Sequence, residues 1–240
     1  MRQIGIVVIR ELQSTFDSLM AYIMIVAFLG FSGFFTWLYG SDVFFTGQAS
    51  LQSFFSIAYW TLFFFIPALT MKLVAEEKKT GTLEMLLTKP VTDWQILWGK
   101  FLATLLLIIV ALSLTLTFYI TVSSLGKADH GAIITGYLAL ILMSATYISI
   151  GIFTSSLTNN QIVAFLLALL IGIFFHIIFG LLAGNLSGIA GAVFQYLSLS
   201  THFDSMSRGV IDSKDLVFFG SIIMMGMVSA EAILAKRNMD

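Results

Sequence analysis

Five long stretches of the chain carry no Asp, Glu, Lys or Arg: residues 18–41, 43–71, 101–126, 130–203 and 216–230. Apolar residues fill them almost without interruption. A charged group at the centre of a bilayer costs at least about 2.5–3.5 kcal/mol, so these stretches read as membrane spans. Lipid offers no partner to a free N–H or C=O, which makes the spans helical. Alternating barrel strands do not fit runs this uniformly apolar. The fourth stretch is long enough for two spans, divided at the polar run Thr158, Asn159, Asn160 and Gln161. The pattern therefore predicts helices near 19–40, 51–73, 101–123, 133–157, 162–183 and 216–235. The expected fold is all-α: a polytopic membrane protein with six transmembrane helices in one domain over 1–240.

Three segments outside the spans are long enough to matter. Residues 1–17 place Ile4, Val7, Val8 and Leu12 among Arg10, Glu11 and Gln13. That is a partly amphipathic helix, expected to lie along the membrane interface. Residues 74–100 and 184–215 form the two sizeable connections. In the first, Gly81 ends one element and Leu83, Met85, Leu86 and Leu87 begin a short apolar-faced helix, which Pro90 stops. Thr92 with Gln95 fits a capping box that starts the next helix. Trp94 and Trp98, four residues apart, suit the point where that helix enters the bilayer. In the second connection, Asp204, Arg208, Asp212, Lys214 and Asp215 stand among aromatic and apolar residues. An interfacial helix or re-entrant hairpin is expected there.

Composition agrees with the pattern. Of 240 residues, 58% are apolar and only 10% charged, against about 25% charged in a soluble domain. A soluble enzyme, a nucleic-acid-binding domain and a disordered tail are set aside. The net charge of −1 gives no overall attraction to nucleic acid. With no cysteine there is no disulfide, thiolate metal site or cysteine nucleophile. Lys and Arg fix the orientation. With the N-terminus inside, Arg2, Arg10, Lys72, Lys78, Lys79, Lys89, Lys100, Lys236 and Arg237 are cytoplasmic. Lys127, Arg208 and Lys214 are outside. That bias places both termini in the cytoplasm.

The charges that remain cluster between Glu76 and Lys100. The run Glu76-Glu77-Lys78-Lys79-Thr80-Gly81-Thr82-Leu83-Glu84-Met85-Leu86-Leu87-Thr88-Lys89-Pro90 resembles the motif after the second span of ABC-2 type transporter permeases. More closely, the chain resembles the gliding-motility-associated permease of Bacteroidota. Phe54-Phe55-Ser56, Ile66-Pro67-Ala68-Leu69-Thr70-Met71, Asn160-Gln161-Ile162-Val163-Ala164-Phe165 and the outer stretch His202–Asp212 carry that likeness. It implies a permease subunit in a bacterial cytoplasmic (inner) membrane, docked on a dimer of ABC ATPase subunits. The partners it implies are that ATPase and a second permease or auxiliary membrane subunit, in a homo- or heterodimer within the bilayer. It also implies coupling roles for Glu76, Glu77, Lys78, Gly81, Thr82 and Glu84. Asp204, Arg208 and Asp212 become candidates for an outer gate or a periplasmic contact.

This chain has no G-x-x-x-x-G-K-[ST] phosphate loop, because Gly99-Lys100 and Gly126-Lys127 lack the upstream glycine. It is not expected to be an enzyme or to hold a cofactor; ATP and Mg are expected on the partner ATPase. His130, His176 and His202 have no partner at ligand spacing, so no metal site is expected. Gly30-Phe31-Ser32-Gly33 matches the G-x-S-G of rhomboid-type intramembrane proteases. That alternative is disfavoured because Ser32 and His176 fall in the first and fifth spans. A second alternative is a membrane scaffold that passes ATP-driven movement onward without moving a solute. Gly180, Gly184 and Gly188 recur every fourth residue, the small-xxx-small pattern of a close helix crossing within one subunit or between two.

Overall fold

The computed structural model describes residues 2–39, 49–82 and 91–237. Among these there is no strand, and six helical runs are long and apolar enough to cross a membrane. The first is α2 (Leu19–Trp37), preceded by α1 (Arg2–Asp17). The second is α3 (Gln52–Thr70), followed by the short α4 (Ala75–Thr80). The third is α5 (Asp93–Leu114) with α6 (Leu116–Leu125), and the fourth is α7 (His130–Leu157). The fifth joins α8 (Gln161–Ile173), a π-helical turn (Phe174–Ile178) and α9 (Phe179–Asn185). Two short helices, α10 (Gly188–Leu197) and α11 (Leu199–Ser207), lead to α12 (Ser213–Arg237).

The ends of these helices follow from local chemistry. Thr92 accepts from the Gln95 amide while the Gln95 side chain takes the Thr92 N–H, the expected capping box. It starts α5 at Asp93, eight residues before the expected span. Gly81 takes φ 71°, the left-handed position that stops α4. Asp129 and Asn160 cap α7 and α8 through their side-chain oxygens. The third span differs from expectation by a break at Thr115. Its hydroxyl turns back onto Leu112 O at 2.7 Å, and the Tyr137 hydroxyl donates to Thr115 O at 3.0 Å. A neighbouring span thus satisfies the backbone at the break.

α7 is the hub. It is the most buried of the six runs, and it packs on α3, α5, α8, α11 and α12. Its sequence allows this, because small residues recur all round it and let other backbones come close. A Cβ on Gly151 would stand 1.9 Å from Thr70 Oγ1 of α3. One on Gly136 would stand 2.4 Å from the Phe55 ring of the same helix. Several of its hydroxyls are spent internally, for example Ser144 onto Leu140 O at 2.6 Å and Thr146 onto Leu142 O at 3.0 Å.

α7 also separates two ends of the molecule. Gly209, after α11, lies against Ala132 at one end. Ser155 meets Val74 and Ala75 at the other. At 1.5 Å per residue these ends are roughly 35 Å apart.

Candidate functional site

The second span does not run freely into the connection that follows it. Between Met71 and Val74 the chain makes a turn before α4. Ser155 of α7 sits in that turn. Its hydroxyl donates to Met71 O at 2.9 Å and accepts from the amides of Val74 (3.1 Å) and Ala75 (3.0 Å). One side chain therefore supplies partners at the end of α3 and at the start of α4, where each helix leaves backbone groups unpaired. Lys78 adds a second tie, its ammonium donating to Ser156 O.

A network of four charged side chains surrounds α4. Lys100 of α5 is 1% exposed, and its Nζ lies 2.7 Å from Glu77 Oε1 and 3.2 Å from Glu11 Oε1. Arg10 closes the network from the solvent side. It pairs with Glu11 and lies 3.4 Å from Glu77 Oε1. A buried ammonium needs such partners, because leaving it unpaired costs several kcal/mol. Burial alone would raise the Glu11 carboxyl. Lys100 and Arg10 outweigh it and hold the group below its ordinary value. α1 reaches this position because Gly99 gives it room: a Cβ there would stand 2.4 Å from Val7 Cγ1. The network thus joins α1, α4 and α5 at one point. A cavity of about 270 Å³ opens beside it, walled also by Lys72, Glu76, Thr80 and Thr82.

Glu76 and Glu77, both given coupling roles by the resemblance, face different surroundings. Glu77 turns inward to Lys100, while Glu76 is exposed. Gly81 and Thr82 are exposed at the end of α4, where the Thr80 and Thr82 hydroxyls lie 2.9 Å apart. Glu84, with the expected short helix around Leu83–Leu87 and Pro90, lies outside the described residues. Sequence reasoning passed over Arg10, Glu11, Lys100 and Ser155. The signal for Lys100 was a lone cation seven residues inside a capped helix, which the capping box alone would have placed past the helix start.

At the opposite end, Asp204, Arg208 and Asp212 do not form one cluster. Arg208 Nε donates to the backbone oxygen of Asp204 at 3.0 Å. Asp212 Oδ2 lies 3.0 Å from Lys214 Nζ. Burial raises the Asp204 carboxyl, with Arg208 offsetting part of the rise. Hydrogen bonds from Lys214 hold Asp212 below its ordinary value. The buried pair at this end is His202 with Asp215, Nδ1 to Oδ1 at 2.7 Å, and sequence reasoning did not single it out.

Of the glycine series, Gly180 faces the hydroxyls of Ser198 and Ser200. Among the described residues nothing lies within 4 Å of the Cβ positions of Gly184 and Gly188, and Gly188 starts α10 with φ +74°. His176 is a buried packing group. It sits in the π-helical turn, stacked on Tyr59 with ring centroids 3.9 Å apart, its Nδ1 2.7 Å from the Tyr147 hydroxyl. Among the described residues no His/Asp/Glu group could hold a metal ion.

Residues 5–215 match the family model described as ABC-2 family transporter protein. Over 93 residues the chain is 31% identical to the "Probable multidrug ABC transporter permease YbhR" of Escherichia coli strain K12. The same figures hold for the protein of that name in Escherichia coli O157:H7. The match covers 39% of this chain but only 25% of each relative. With six apolar helical runs, α7 among them, and a family match over most of its length, the chain belongs to the ABC-2 transporter family.

Proposed function

We propose that the chain is the membrane-spanning permease subunit of an ABC transporter, driven through α4 by ATPase subunits that are separate polypeptides. ATP and Mg belong to those subunits, which act as a dimer beneath two permease or permease-like chains. The positive-inside distribution of Lys and Arg supports a cytoplasmic position for α4 and for both termini. The likeness of the 202–212 stretch to the gliding-motility-associated permease supports a place in that system, in a bacterial cytoplasmic membrane.

The observation that carries the reading is the joining of α1, α4 and α5 through Lys100, Glu77, Glu11 and Arg10. ATP closes the partner dimer and displaces the surface that it touches. α4 is tied to α3 and α7 through Ser155, to α7 again through Lys78, and to α5 and α1 through Glu77. A displacement of α4 is then shared by three spans. In this scheme Glu76, Gly81 and Thr82, which are exposed, meet the ATPase. Glu77 and Lys78 hold α4 to the spans, and Glu84, outside the described residues, keeps the coupling role that the resemblance implies.

The test is co-purification with the ATPase and membrane-stimulated ATP turnover in Glu76→Ala/Glu77→Ala. Loss of either, with the spans still folded, is the expected result. Wild-type association and turnover would overturn the assignment.

A further inference from the structure

We infer that the cavity between α10, α11 and the start of α12 is a binding site for the phosphate of a phospholipid headgroup, held by Arg208 and Lys214. The cavity encloses about 410 Å³, enough for a headgroup, at the end of the molecule away from α4. Its polar wall is made by Gln195, Thr201, Ser205, Arg208, Lys214 and Asp215. Asp215 is the acid in that wall, and it is already engaged by His202 at 2.7 Å. The other ring nitrogen of His202 lies 3.0 Å from the backbone oxygen of Tyr196. Asp215 is buried beside that ring, whereas Arg208 and Lys214 are exposed. The accessible charges of the wall are therefore the two cations Arg208 and Lys214, accompanied by hydroxyl and amide donors. That set is complementary to a phosphate.

Both cations are placed for exchange. Arg208 uses Nε on Asp204 O, which orients the guanidinium and leaves its terminal N–H groups for a ligand. Lys214 pairs with Asp212 at the rim, where both side chains are about half exposed. A pair so exposed is worth about 0–1 kcal/mol and yields readily to a better acceptor.

The surroundings select lipid over free phosphate. α10, which supplies Gln195 and Tyr196, also exposes Ile189 (86%) and Val193. α12, which supplies Lys214, exposes Leu216 and Val217 just beyond it. Cations at the level of the headgroups beside exposed apolar side chains are arranged as an interfacial lipid contact requires.

The experiment titrates the purified full chain in detergent with phosphatidylglycerol and reads bound lipid by native mass spectrometry. One retained lipid per chain is expected. Arg208→Gln/Lys214→Gln should weaken its binding by about tenfold or more, as expected for loss of charge-assisted hydrogen bonds. The charge-keeping Arg208→Lys/Lys214→Arg should bind within about threefold of wild type by the same scale. Diacylglycerol with the same chains, lacking phosphate, should not compete. Unchanged lipid binding in the glutamine variant would overturn the proposal, as would competition by diacylglycerol. Inorganic phosphate displacing the lipid at equal concentration would overturn the lipid source. If the glutamine variant does not fold, the charge-keeping variant and the diacylglycerol arm decide.

Discussion

Lys100 Nζ and Glu77 Oε1 lie 2.7 Å apart, although one belongs to the start of the third span and the other to the helix after the second. The lysine is almost wholly buried and shares a second acid, Glu11. This arrangement makes the two directions of mutation unequal. Glu11→Gln/Glu77→Gln leaves the ammonium buried without a carboxylate, which costs about 3–5 kcal/mol. Lys100→Met removes the buried charge itself and fills a similar volume, leaving two partly exposed acids still facing Arg10. It should cost distinctly less. Thermal unfolding of the solubilised variants measures the difference, and equal losses would show that the pairs contribute little.

Ser155 is the cheapest point at which to loosen α4 without touching its charges. Ser155→Ala removes the acceptor of the Val74 and Ala75 amides together with the donor to Met71 O. Each buried group left unsatisfied costs about 1–3 kcal/mol. The change is local, so amide exchange at Val74 and Ala75 should quicken while that in the middle of α7 stays slow. ATP turnover, if it persists, should respond less to the membrane subunit. Unchanged exchange at these two amides would count against Ser155 as the tie.

The sequence carried the six spans plainly, because the cost of burying charge acts at every residue. It also carried Gly81 as a helix stop and Thr92 with Gln95 as a helix start, since both depend on groups within a few residues. Lys100 was legible only as a charge that sets topology. Its burial depends on α1 folding back across Gly99, a contact between residues about ninety positions apart. The Ser155 tie is hidden for the same reason. The π-helical turn at His176 leaves no mark in an unbroken apolar run. Gly184 and Gly188 show the converse case, where a regular spacing invites a helix crossing but nothing among the described residues of the chain lies against either position. Two of the glycines that do permit close approach, Gly136 and Gly151 on α7, stand fifteen residues apart and form no short motif.

Acidification separates the two ends of the molecule. Glu11 is held below its ordinary value when folded. It therefore contributes stability that is present above its unfolded pKa and is lost as pH falls through the folded one. Asp204 is raised by burial, so it carries a cost when ionised that disappears as pH falls through its folded pKa. Glu11→Gln should lower the unfolding temperature at neutral pH and matter little in acid. Asp204→Asn should be neutral or stabilising at neutral pH, with its effect also vanishing in acid. Melting curves of both variants between neutral pH and the acid range test the opposed signs. A parallel response of the two would remove the basis for either.

The crossing of α3 and α7 offers a prediction that distinguishes packing from the ion network. At Gly151 an added methyl would overlap Thr70 Oγ1, which already donates to Ile66 O at 2.9 Å. The atom in the way belongs to a short β-branched side chain on a helix, which has few rotamers to move into. Gly151→Ala must then push α3 away from α7, and overpacking of this kind costs about 1–3 kcal/mol. Because the crossing lies one turn from Ser155, the separation also stretches the contacts of Ser155 with Met71 and Val74. Thr70→Ala removes the obstruction, so Thr70→Ala/Gly151→Ala should recover much of the stability lost by Gly151→Ala alone. Gly184→Ala, which meets nothing among the described residues, should not lower the solubilised monomer's melting temperature. A double-mutant cycle between positions 70 and 151 reads the coupling directly, and additive effects would contradict the close approach of the two helices.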